Sequence, residues 1–147
     1  MQKIDTIVSD NKQLDVWFND SLIGCPALPL ILSTQSEIMK NGYSTLHLAF
    51  RNNSLVVWIQ DQDIVMGGIC FEYIAERKES WINLSFTDEQ FRGQGINQLC
   101  HLYFEKISKD KGALSIGSVV STENISRLKS ALKVGFKPKF YRMSKDL

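Results

Sequence analysis

Two kinds of periodicity meet in residues 87–97, and their meeting constrains this chain more than any other feature. Residues 80–86 alternate apolar and polar, the pattern of a half-buried strand. After the stretch, Ile96, Leu99, Cys100, Tyr103, Phe104 and Ile107 recur at helical spacing. Between them lies a loop carrying Arg92, Gly93 and Gly95. A strand, a glycine loop and a helix in that order place free backbone N–H groups at a helix N-terminus, where the macrodipole also favours negative charge. The glycines let the backbone curl close to a bulky anion. One reading is a phosphate or pyrophosphate cradle; the other is an ordinary tight turn that opens a helix. Two better-known phosphate loops are excluded. A dinucleotide fingerprint needs a third glycine where Gln98 stands, and no Gly-Lys-Ser/Thr triplet follows.

At 147 residues the expectation is one domain spanning 1–147, with a sizeable core. A formal net charge of +1 gives no global field to recruit nucleic acid or an anionic membrane. No apolar run approaches spanning length, and Met1-Gln2-Lys3 does not open a secretory segment. Cys25, Cys70 and Cys100 are odd in number, scattered and set among apolar residues. They read as buried thiols of a cytoplasmic protein. His47 and His101 have no Cys or carboxylate at ligand spacing, so no metal site is expected.

Along the chain, residues 3–8 predict a first strand, and Asp10 to Gln13 resembles a capping box that opens a helix over 11–20. Gly24, Pro26 and Pro29 break the next segment. Thr34 to Glu37 is a second capping box, predicting a short helix that stops at Gly42. Residues 43–50 fit strand or helix. Strands at 55–59, 63–73 and 80–86, joined by short polar turns, predict an antiparallel meander, with a bulge at Gly67-Gly68. A helix to about Lys111, a strand over 114–121, a helix over 124–134 stopped by Gly135 and a strand over 136–143 complete the order. The expected architecture is an α/β layer fold with a mixed sheet.

Two motifs resemble the GCN5-related N-acetyltransferases. The first is their acyl-coenzyme A loop, Gln/Arg-x-x-Gly-x-Gly/Ala. Gln90, Gly93 and Gly95 match one frame fully. Arg92, Gly95 and Asn97 match a second, with Asn in the last place, and this frame aligns Arg92 to Ile96 with the common wording Arg-Gly-x-Gly-Ile. The second motif is Asn124 followed across a helix by Gly135-Phe136. The resemblance covers residues 55–143 and implies a mostly antiparallel central sheet with splayed middle strands and about four helices. It implies acetyl-CoA as co-substrate, with Ser85, Phe86 and Thr87 offering backbone groups to the pantetheine arm. Arg92, Gly93, Gln94, Gly95, Ile96 and Asn97 would cradle the pyrophosphate, and Asn124 would contact the coenzyme. For Arg92 the plainer alternative is a surface pair with Asp88 or Glu89.

Acyl transfer to an amine needs a proton acceptor, an oxyanion donor and an outlet for the thiolate. Glu72 and Glu79 are the candidate bases, with a solvated edge or turn as the alternative for each. The family's usual tyrosine, seven residues after the motif asparagine, is here Ala131, so Tyr141 is the candidate acid. Tyr103 reads as core. Trp17, Trp58 and Trp81 read as core or cleft wall, Cys100 as packing and His101 as exposed. Lys137, Lys139, Arg142 and Lys145 read as a basic edge strand. The leading function is an N-acetyltransferase acting on a primary amine. The alternatives are an acyl-CoA-binding module with weak or no turnover, and a structural role. A homodimer is compatible with such a fold.

Overall fold

A computed structural model describes residues 1–40, 54–120, 124–139, 143, 145 and 146. The chain opens with a hairpin. Strand β1 (Gln2–Ser9) pairs antiparallel with β2 (Lys12–Asn19). The predicted helix over 11–20 is therefore a strand. Asp10 and Asn11 carry positive φ of 49° and 62°, the two-residue turn whose twist suits a hairpin. Asp10 turns the chain instead of capping a helix, and Leu14 and Val16 then fall on one buried face at period two. Tyr103 ties this hairpin to the body of the protein, its hydroxyl donating to Asp5 Oδ2 at 2.5 Å. That ring packs only partly against the core.

Helix α1 (Leu28–Lys40) begins six residues before the capping box that seemed to open it. Pro29 lies in its first turn, where a missing N–H costs nothing. Thr34 is inside the helix, and its hydroxyl donates back to the Leu30 carbonyl at 2.8 Å. The ambiguous segment 43–50 lies outside the described residues.

The meander is as expected: β3 (Leu55–Asp61), β4 (Ile64–Ile74) and β5 (Glu79–Thr87) pair antiparallel in sequence order. A 3-10 turn after Asp88 leads into α2 (Ile96–Asp110), then β6 (Ser115–Ser118) and α3 (Ile125–Lys133). The six strands lie in the order β1-β2-β3-β4-β5-β6, all antiparallel except β6, which runs parallel to β5. Three α-helices stand among the described residues, one fewer than expected because of the hairpin. Residues 136–139 carry no strand, so the expected basic edge strand is absent there, and 140–142, with Tyr141, lie outside the described residues. No described helix is long and apolar enough to cross a membrane.

Each sheet face has its own core. Toward α2, Leu14, Val16, Val57, Ile59, Ile69, Phe71 and Ile82 meet Ile96, Cys100 and Phe104. Phe71 and Phe104 stand edge to face at 4.9 Å, a favoured aromatic geometry. Toward α1, Val56, Trp58, Cys70, Leu84 and Phe86 meet Ala27 and Ile31. Burying each large side chain contributes roughly 1.5–3 kcal/mol. Burial also pushes the Cys100 thiol up to about 12, which keeps it inert packing. His101, expected to be exposed, is 2% exposed, because the buried stripe of α2 is wide enough to include it and Ser108.

Two irregularities in the register shape the centre of the sheet. Met66 is an extra residue in β4, beside the predicted Gly67-Gly68 bulge. Asn83 is an extra residue in β5, since Cys70 faces Leu84 while Phe71 faces Ile82. The second bulge exchanges the faces of β5. Ile82 packs toward α2, whereas Leu84 and Phe86 pack toward α1.

Candidate coenzyme cleft

The cleft begins where β5 and β6 part. Their pairing runs from Glu79 opposite Ser115 to Ile82 opposite Ser118 and ends there. Residues 83–87 continue as strand, hydrogen-bonded to β4 on one side, with no β6 partner on the other among the described residues. That edge presents backbone N–H and C=O groups in the geometry that accepts an added extended chain. Along it the side chains of Asn83 and Ser85 are buried without hydrogen-bond partners.

The edge runs directly into the glycine loop. Asp88 accepts the Gln90 N–H at 2.9 Å and starts a single 3-10 turn, Glu89–Phe91. Gly93 and Gly95 then adopt φ of 77° and 81°. A Cβ on either would meet nothing within 4 Å, so these glycines serve the backbone turn and leave open space beside it. Gly95 is the N-cap of α2, no side chain caps the helix, and its first turn holds no acidic residue. The amide groups at this helix start are thus left for an anion, with no carboxylate competing.

Arg92 is held differently from the surface pair with Asp88 or Glu89 that its sequence neighbours suggest. Its Nη1 and Nη2 donate to Glu37 Oε1 and Oε2 of α1 at 3.4 and 3.0 Å, and its Nε donates to the Thr87 carbonyl at 3.3 Å. The Glu37 contact was not legible in the sequence, because 55 residues separate the partners. The pair is about half exposed, so its net contribution is below about 1 kcal/mol.

The remaining residues sort by position. Phe86 is a core side chain and brings only its backbone to the open edge. Asn124 is the N-cap of α3, accepting the Arg127 N–H on Oδ1 at 3.2 Å. Glu72 lies opposite Trp81, next to the parting point. Glu79 is at the far end of β5, roughly 26 Å of strand from Thr87, with Oε1 3.3 Å from Arg77. Neither carboxylate belongs to the glycine loop; both lie on the closed side of the fork. Ala131 is buried and offers no proton donor.

Comparison with solved structures agrees on this shape. An aminoglycoside acetyltransferase from an uncultured soil metagenomic sample superposes with a TM-score of 0.70 at 12% identity, covering 91% of this chain and 96% of its own. A ribosomal-protein-alanine N-acetyltransferase from Brucella melitensis biovar Abortus 2308 gives 0.69 at 10% identity, covering 91% and 99%. The fold is that of the GCN5-related N-acetyltransferases. A transcriptional regulator from Bacillus halodurans C-125 superposes as well, at a TM-score of 0.62 and 12% identity over 90% of this chain and 99% of that one. At such identities the likeness concerns the fold, and the reaction has to be argued from the site. No protein-family model and no curated protein sequence matches the chain.

Proposed function

We propose that this protein is an acyl-CoA-dependent N-acyltransferase that moves an acetyl group from acetyl-CoA to a primary amine. One observation carries the reading: a strand edge, 83–87, unpaired among the described residues, leads without interruption into an uncapped helix N-terminus through two open glycines. This is an extended groove ending in an anion cradle, which suits an amide-bearing arm that ends in a pyrophosphate. The fit is one of donor chemistry and open space.

In this reading Ser85, Phe86 and Thr87 align the pantetheine arm through backbone groups. Arg92, Gly93, Gln94, Gly95, Ile96 and Asn97 hold the pyrophosphate, the amides contributing most. Asn124 keeps its side-chain N–H groups for the coenzyme while its carbonyl oxygen caps α3. Acetyl-CoA supplies the activated acyl group. A backbone N–H at the parting of β5 and β6 polarises the acyl carbonyl. Glu72 and Glu79 are the carboxylates that take the amine proton, directly or through water. Tyr141 is assigned to the leaving thiolate. Tyr103 does not compete for that role, since its hydroxyl is bonded to Asp5. The two acetyltransferases that share the fold are named for amine acceptors, an aminoglycoside and a ribosomal-protein alanine, which supports an amine here. Cytoplasmic location and a homodimer belong to the same proposal. Ala131 favours a second reading, a coenzyme-binding module with little turnover.

The test is a thermal shift with acetyl-CoA and CoA, followed by thiol release against a panel of amines. A ligand that binds only the native state raises its melting temperature by mass action. A shift with thiol release supports the enzyme. A shift without release leaves the binding module, and no shift at saturation removes both.

Glu37 competes with the pyrophosphate for Arg92. Glu37→Gln is expected to tighten CoA up to about fivefold, the equivalent of roughly 1 kcal/mol for an exposed pair. Arg92→Gln is expected to weaken it by about tenfold, through loss of a charge-assisted contact. Calorimetric titration of both variants reads the signs, and equal or inverted signs would remove Arg92 from the cradle.

A further inference from the structure

Asn83 is the first residue of β5 beyond its last pairing with β6, Ile82 opposite Ser118. It is also the extra residue of the β5 bulge, so no residue of β4 stands opposite it. Its neighbours are committed to packing: Ile82 to the core toward α2, and Leu84 to the core toward α1. The Asn83 side chain is not. The residue is 9% exposed, and neither Oδ1 nor Nδ2 has a hydrogen-bond partner among the described residues. Two residues on, the Ser85 Oγ is buried and unpartnered as well.

An asparagine in a bulge ordinarily bonds the backbone groups that the bulge leaves open. Asn83 makes no such bond, and its polar atoms do not meet solvent either. A buried amide left unsatisfied destabilises the fold, and an apolar side chain of similar size would not. Packing therefore does not account for this residue. Its place in the cleft does. An arm anchored at residues 92–97 and laid along the open edge passes Thr87 first and Asn83 last, about 13 Å further along the strand. The reactive tip of the arm arrives at Asn83.

We propose that Asn83 is a catalytic residue of the acyl transfer, its Nδ2 donating to the acyl carbonyl oxygen. The inference rests on the acyltransferase reading above and adds a side-chain donor to the backbone N–H assigned to that oxygen. The lone pair of the amine nitrogen forms the C–N bond while the carbonyl pair moves onto oxygen, where Nδ2 meets the new charge. As the C=O bond re-forms, the C–S bond breaks and sulfur leaves with the bonding pair. The amine proton goes to a carboxylate, and Asn83 neither gains nor loses one. A donor kept unsatisfied in the resting fold is pre-organised for charge that exists only during reaction.

The test is Asn83→Leu, apolar and of similar size. The variant is expected to melt a few degrees higher than the parent, since an orphaned amide is removed. Thiol release against the amine panel is expected to fall about a hundredfold in kcat. Calorimetric titration without amine reads the contact apart from turnover. The parent is expected to bind acetyl-CoA about three- to tenfold tighter than CoA, which lacks the carbonyl. The variant is expected to lose that preference and keep its affinity for CoA. If Asn83→Leu does not fold, Asn83→Ala removes the amide without adding bulk, and the same titration reads it. A parent without the acyl preference, or a variant that keeps it, overturns the role. A parent that binds neither ligand overturns the acyltransferase reading itself, and this inference with it.

Discussion

Between pH 6.5 and about 4 the protein is expected to lose about 3 kcal/mol of stability through His101 alone. Burial, with the nearby Arg127 charge as a second cause, pushes this histidine down to about 4 from its ordinary 6.5. Above pH 6.5 the ring is neutral in both folded and unfolded chains and contributes no slope. Between the two values the unfolded chain binds a proton that the folded one refuses, so stability falls as pH falls. Below about 4 both states are protonated and the slope ends. Asp5, held below its ordinary 3.8 mainly by the Tyr103 hydroxyl, acts at more acid pH, so the two effects separate. Urea melts at pH 7, 5.5 and 4 read the slope. His101→Leu, apolar and of similar size, is expected to flatten it. A parent curve as flat as that of the variant would mean that the imidazole is solvated.

Gly68→Val is expected to be the most damaging single change, costing about 3 kcal/mol or more through overpacking against backbone. A Cβ there would stand 2.4 Å from the Val57 carbonyl oxygen and 2.6 Å from Phe86 Cζ. The first neighbour is main chain of β3 and cannot yield without parting the strands. The second is the core ring of β5 behind the open edge. Gly93→Ala is the control. It meets nothing within 4 Å and bears only the strain of φ 77°, roughly 1–2 kcal/mol. Circular dichroism melts of the two variants should therefore differ in kind. Gly68→Val loses the cooperative transition, whereas Gly93→Ala keeps it and loses coenzyme response. Cooperative melting of Gly68→Val near the parent temperature would refute the close packing of β3, β4 and β5.

What the sequence disclosed and what it hid follow from the range of the interactions involved. The meander, the glycine loop, α2 and α3 were legible because each rests on local periodicity and on local terminators such as Gly95 and Gly135. The first hairpin was not. Leu14, Trp17 and Phe18 satisfy helical spacing, while Leu14, Val16 and Phe18 satisfy strand spacing equally well. Only the left-handed backbone at Asp10 and Asn11 decides between them. Thr34 looked like a cap because its sequence neighbours suit one, yet the helix had already begun at Leu28. The burial of His101 and Arg127 and the Arg92–Glu37 pair depend on packing between elements distant in sequence, which no local pattern carries. In β5 the letters misled outright. Ile82, Leu84 and Phe86 alternate as if on one face, and the extra residue at Asn83 sends Ile82 to the other.

That extra residue makes the length of this strand harder to change than its letters. Deleting Asn83 would restore a continuous ladder and turn everything after it by half a revolution. The side chains of Leu84 and Phe86 would then leave the α1 face of the sheet for the α2 face. A single insertion beyond it would do the same. Substitutions carry no such consequence while each half keeps its own apolar side. This strand is therefore free to drift in spelling and is bound in spacing.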